Sequence, residues 1–127
     1  MIKRHHLSFK NAFNGIKWAL RTQPNYKVHI FFSVLALFMS WFFNISQIEN
    51  IIIFLLIIIG FVIETINTGI EATTDAITKQ TRDEIRIAKD VSAAAMLIFA
   101  CGAVLIAGYI FIPKILNYIL QVTSYTF

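Results

Sequence analysis

Charge is what this chain has least of. Asp, Glu, Lys and Arg together make up 14% of it, against a usual share of about 25%. Its lone cysteine, Cys101, excludes a disulfide framework and a thiolate metal cluster. Only two prolines, Pro24 and Pro113, and five glycines punctuate it, so its ordered segments are expected to be long. No Gly-x-x-x-x-Gly-Lys-Ser/Thr loop and no protein-kinase signature set occurs, which excludes the conventional nucleotide-binding folds. What is present in excess is apolar: 57% of 127 residues. A soluble domain of this size cannot bury so much apolar surface, and the apolar residues come in blocks. The composition reads as an all-α integral membrane protein of one domain, 1–127.

Three runs carry this reading. They place spans at about 28–46, 50–75 and 90–112, each close to the roughly 20 residues needed to cross hydrocarbon. Pro113 is expected to end the third, because proline cannot continue the helical hydrogen-bond ladder. Ten of the eleven basic residues lie before the first run or between the second and third; only Lys114 lies elsewhere. The positive-inside rule makes that side, with the N-terminus, cytoplasmic. The first run begins well into the chain and lacks a small-residue cleavage pattern, which argues against a cleaved signal peptide. A net charge of +4 suits anionic lipid head groups and requires no nucleic acid.

Ahead of the first run, Phe9, Phe13, Ile16 and Leu20 recur at helical spacing while Lys10, Asn14, Lys17 and Arg21 occupy other faces. This predicts an amphipathic surface helix over about 8–21 with Ser8 as N-cap, lying in the membrane interface as an anchor or as a lid over a site at that depth. Gln23-Pro24-Asn25 is expected to break it. The adjacent His5 and His6 lack further ligands at metal spacing and read as a solvated pair.

The segment Glu64-Thr-Ile-Asn67-Thr-Gly-Ile-Glu71-Ala-Thr-Thr-Asp75 follows thirteen uncharged residues, Ile51 to Ile63. At about 100° per residue, Glu64, Glu71 and Asp75 fall within roughly a 40° arc, with Asn67 beside them. Carboxylates beside hydrocarbon are costly and need a partner or a task. Three readings fit: inter-helix hydrogen bonds that fix an oligomer, an ion or proton site in a carrier, or an enzyme using one carboxylate as base and another as metal ligand. Glu64 and Glu71 stand about 10 Å apart along the axis, so different tasks suit them better than one shared ion. A second box, Ala88-Lys89-Asp90-Val-Ser92-Ala93-Ala94-Ala95, opens the third run. There Lys89 can neutralise a phosphate and Asp90 suits a helix N-terminus.

At these two boxes the sequence resembles the prokaryotic diacylglycerol kinase family, which includes the undecaprenol kinases. The resemblance extends from about Ser8 to Pro113. The Ser8-Phe9-x-x-Ala12-Phe13-Asn14-Gly15-Ile16 run and Asn25-Tyr26-Lys27-Val28-His29 look more like the undecaprenol kinase branch. It implies a surface helix plus three transmembrane helices, assembled as a homotrimer with shared active sites at the cytoplasmic boundary. It implies transfer of the ATP γ-phosphate to a membrane lipid alcohol with Mg²⁺, undecaprenol preferred over diacylglycerol. By resemblance Glu64 is the base, Asn67 orients Glu64 or the acceptor, Glu71 holds the metal, and Ala93 adjoins the lipid. ATP contacts are implied for Arg4, Asn11, Gln23, Glu71, Gln80, Thr81, Arg82, Lys89 and Asp90. Two departures stand out. Gln23 occupies the place of a second metal-binding Glu, and Thr78-Lys-Gln-Thr-Arg-Asp83 lacks the Glu and His often seen there.

Overall fold

The structure, a computed structural model, describes residues 2–77 and 82–124, with side chains from His5 onward. Those residues form four helices: α1 (Ile2–Thr22), α2 (Pro24–Phe42), α3 (Gln47–Ile77) and α4 (Asp83–Ser124).

The breaks follow local chemistry. Gln23 is extended, at φ −99° and ψ 115°, and Pro24 opens α2, where its missing N–H costs nothing. The chain reverses after α2 through Asn44, at φ 45°, a left-handed conformation that Asn tolerates. Ser46 and Glu49 then start α3 as a capping box. The Ser46 N–H donates to Glu49 Oε2 at 2.7 Å and the Glu49 N–H to Ser46 Oγ at 3.3 Å.

Three expected boundaries are corrected. α1 begins at Ile2, so Ser8 lies inside the helix and does not cap it. α2 stops at Phe42 rather than near 46, because of the Asn44 turn. α4 runs through Pro113 to Ser124. The proline deletes one ladder bond, but packing on both sides holds the axis. Ile110 and Phe111 are buried with Ile45 and Ile53, and the Tyr118 ring meets Phe42 and Phe43. Lys114 also pairs with Glu49 at 3.0 Å, tying α4 to the start of α3.

α3 is the central element, with α2 and α4 packed on it and α1 against the adjoining ends of α2 and α3. α3 and α4 are long and apolar enough to cross a membrane, whereas the first turns of α2 carry Asn25, Lys27 and His29. Large apolar side chains such as Phe54, Ile58, Ile98 and Leu105 face outward. That much contiguous apolar surface belongs against lipid or another subunit. The molecule is a membrane protein.

Candidate active site

Polar residues of α3 are buried only on the stretch that faces α2 and α4 near its C-terminal end. Glu64 is 1% exposed, and Asn67 and Thr68 beside it are also buried. An ionisable group so enclosed, next to a long apolar run, is held there by partners or by function. Asn25 of α2 stands beside the Glu64 carboxylate on the wall of the site. The carboxylate oxygen Oε2 has no partner among the described residues, and neither has Thr68 Oγ1 one turn further on. Tyr26 holds α2 in this register: its hydroxyl donates to Thr65 Oγ1, since the Thr65 hydroxyl donates to the Phe61 carbonyl at 2.6 Å.

Above Glu64 the stripe is tied to α4. Ser92 Oγ donates to Asn67 Oδ1 at 2.7 Å, shared with the Lys89 carbonyl at 2.9 Å. That turns the Asn67 amide N–H toward Glu71 Oε1, 3.3 Å away. Lys89 Nζ forms an ion pair with Asp75, closing the end of the helix pair. The Asn67 amide thus bonds Glu71, while Asn25 is the amide beside Glu64. Asp90 is exposed and bonds Arg86, whose guanidinium also reaches Asp83.

A cavity of about 530 Å³ opens from this cluster and runs between α2 and α4 with α3 as its floor. Glu64, Asn67 and Glu71 line one end, with Ala93 of α4 across from them; Phe111 and Met39 line the other. From Ala93 to Phe111 it follows α4 for about 27 Å at 1.5 Å per residue, close to the roughly 30 Å of bilayer hydrocarbon. The wall between is almost wholly apolar. Such a shape suits a long hydrocarbon chain whose polar end meets Glu64.

The expected site residues divide accordingly. Glu64, Asn67, Glu71 and Ala93 come together on the cavity, and Lys89 joins them through Asp75 and Ser92. Gln23 is the N-cap residue of α2 and makes no side-chain cap bond; it does not line the cavity, nor do the exposed Asn11 and Arg82. Gln80, Thr81 and the Arg4 side chain lie outside the described residues. Asn25 and the orienting role of Ser92 were not anticipated. Both sit beside expected residues, but which pairs meet depends on how three helices are rotated against one another.

Comparison with known proteins identifies the family. Residues 10–111 match the family described as prokaryotic diacylglycerol kinase. The chain is 37% identical to undecaprenol kinase of Bacillus subtilis over 114 residues, 90% of this chain and 93% of that protein. It is 30% identical to diacylglycerol kinase of Synechocystis sp. over 112 residues, 87% of this chain and 64% of that protein. The chain belongs to the prokaryotic diacylglycerol kinase family.

Proposed function

We propose that the protein is an ATP-dependent lipid kinase that phosphorylates a membrane lipid alcohol, with undecaprenol as the preferred acceptor and diacylglycerol as the alternative. The observation that carries this reading is the buried Glu64, its Oε2 unpartnered, at the polar end of a bilayer-long apolar cavity. A lipid hydroxyl delivered there gives its proton to Glu64. Its oxygen then bonds the γ-phosphorus as the bond from that phosphorus to the ADP oxygen breaks, and ADP leaves. Asn25, beside the carboxylate, would hold the base in place. Lys89 exchanges its Asp75 partner for phosphate oxygens, offsetting their charge.

No cluster of three or more acidic, His or Cys ligands exists among the described residues. The residues fit Mg²⁺ in its usual setting, carried by substrate phosphates with one or two carboxylates. Glu71, with one oxygen engaged by Asn67, would offer the other to it. Bound there, the ion would neutralise charge on the transferring phosphoryl group. On this reading α2, α3 and α4 all span the membrane, the N-terminus is cytoplasmic, and a homotrimer completes sites shared between subunits. Exposed ATP-facing candidates such as Asn11 and Arg82 would act there.

The test is ATP-dependent labelling of undecaprenol and diacylglycerol, offered separately to purified protein in detergent with Mg²⁺. Labelled lipid phosphate is expected, more of it from undecaprenol. If neither lipid is labelled, the kinase reading fails.

A further inference from the structure

The apolar wall of the cavity has one polar seam. On α2, Asn25, His29 and Ser33 recur every four residues and all line the cavity. That spacing stacks them on one helix face about 6 Å apart. Asn25 stands beside Glu64. Beside His29 the Phe61 ring lies 5.9 Å away, and Gly60 approaches so closely that a Cβ there would stand 3.4 Å from His29 Nδ1 and 2.9 Å from the Phe99 ring. Ser33 makes no bond to the carbonyl one turn before it, although Ser40, Thr65, Thr73 and Thr74 all do so on their helices. Neither His29 nor Ser33 has a hydrogen-bond partner among the described residues. Both are half-buried at the wall of a mainly hydrocarbon-lined cavity, where a ligand carrying acceptors would satisfy them.

We propose that His29 and Ser33 form a subsite for the ester carbonyls of a glycerolipid, and so set how well this enzyme uses diacylglycerol against polyprenol. The inference rests on the kinase reading, because Glu64 must hold the acceptor hydroxyl for the depths to match. A polyprenol has nothing but hydrocarbon beyond its hydroxyl and leaves both groups unpaired. A diacylglycerol carries two ester carbonyls within about one helical turn of its free hydroxyl. Both side chains lean toward the N-terminus of α2, which is the Glu64 end. The imidazole N–H would donate to the nearer carbonyl and the Ser33 hydroxyl to the farther. The Gly60–Phe99 contact holds His29 at that depth, and a larger residue at 60 would displace it.

The experiment measures kcat/KM for three acceptors on the intact protein in one detergent: undecaprenol, glycerol carrying two oleoyl esters, and glycerol carrying two oleyl ethers, which lacks the carbonyls. The unaltered protein is expected to favour the diester over the diether by about tenfold, the discrimination of roughly one well-made hydrogen bond. His29→Leu and Ser33→Ala are expected to erase most of that preference and to lower the diester-to-undecaprenol ratio by a similar factor. Equal use of diester and diether by the unaltered protein overturns the proposal, as does an equal fall with all three acceptors in the variants. Phosphorylation of undecaprenol with no effect of ester or variant sinks this inference alone. No phosphorylation of any acceptor sinks the kinase reading with it.

Discussion

The Ser92 hydroxyl, donating to Asn67 Oδ1 at 2.7 Å, decides which way the Asn67 amide faces and so links α4 to the Glu71 carboxylate on α3. With its carbonyl side engaged, the amide has only its N–H₂ to offer Glu71. A hydroxyl on one helix thereby orders a charged group on another.

Ser92→Ala should reveal this link. The change leaves Asn67 Oδ1 buried without its donor, a loss of about 1–3 kcal/mol. Thermal unfolding in detergent should fall accordingly. The Mg²⁺ concentration for half-maximal activity should rise severalfold, since Glu71 loses its orienting amide, while the KM for lipid stays near its starting value. A lower melting temperature with an unchanged Mg²⁺ requirement would make Ser92 purely structural.

The Lys89–Asp75 ion pair competes with phosphate for the same ammonium. The pair is partly exposed, and such pairs contribute about 0.2–1 kcal/mol. Asp75→Asn should therefore lower the KM for ATP by up to about fivefold, whereas Lys89→Ala should raise it. ATP titrations at saturating lipid read both. A higher KM for ATP in Asp75→Asn would show that Asp75 aids nucleotide binding.

Glu49 performs two structural tasks at the opposite end of the molecule, capping α3 through Ser46 and pairing with Lys114 on α4. Glu49→Gln should lower stability, mostly through the weakened cap. Melting temperatures and ATP titrations should separate the two effects, with the KM for ATP unmoved. A change in that KM would mean that the α3–α4 junction is coupled to the nucleotide end.

Much of this architecture was legible in the chain. Apolar blocks located the helices, and the 100° geometry put Glu64, Glu71 and Asp75 on one face with Asn67 beside them; the cavity takes Glu64, Asn67 and Glu71, while Asp75 pairs with Lys89. The Ser46-x-x-Glu49 capping box is also readable in the chain. Pro113 misled because the stop rule is local. Losing one ladder bond costs about 3 kcal/mol in a helix interior, and the burial of Ile110 and Phe111 with the Tyr118 ring contacts offsets it. Asn25 on Glu64 and Ser92 on Asn67 could not be read because each joins two helices. One sequence carries periodicity within a helix but not the rotation of one helix against the next. The His29–Gly60–Phe99 approach was hidden for the same reason.

The central claim is that Glu64 removes the proton from the lipid hydroxyl. The most direct measurement is phosphate transfer from ATP to undecaprenol by Glu64→Gln, alongside ATP binding to the same preparation. Gln keeps the shape of the side chain but cannot accept the proton. Nucleotide binding is expected to persist while transfer falls by about 10²–10⁴-fold, the usual worth of a positioned general base. Transfer by Glu64→Gln at the rate of the unaltered protein would contradict the claim.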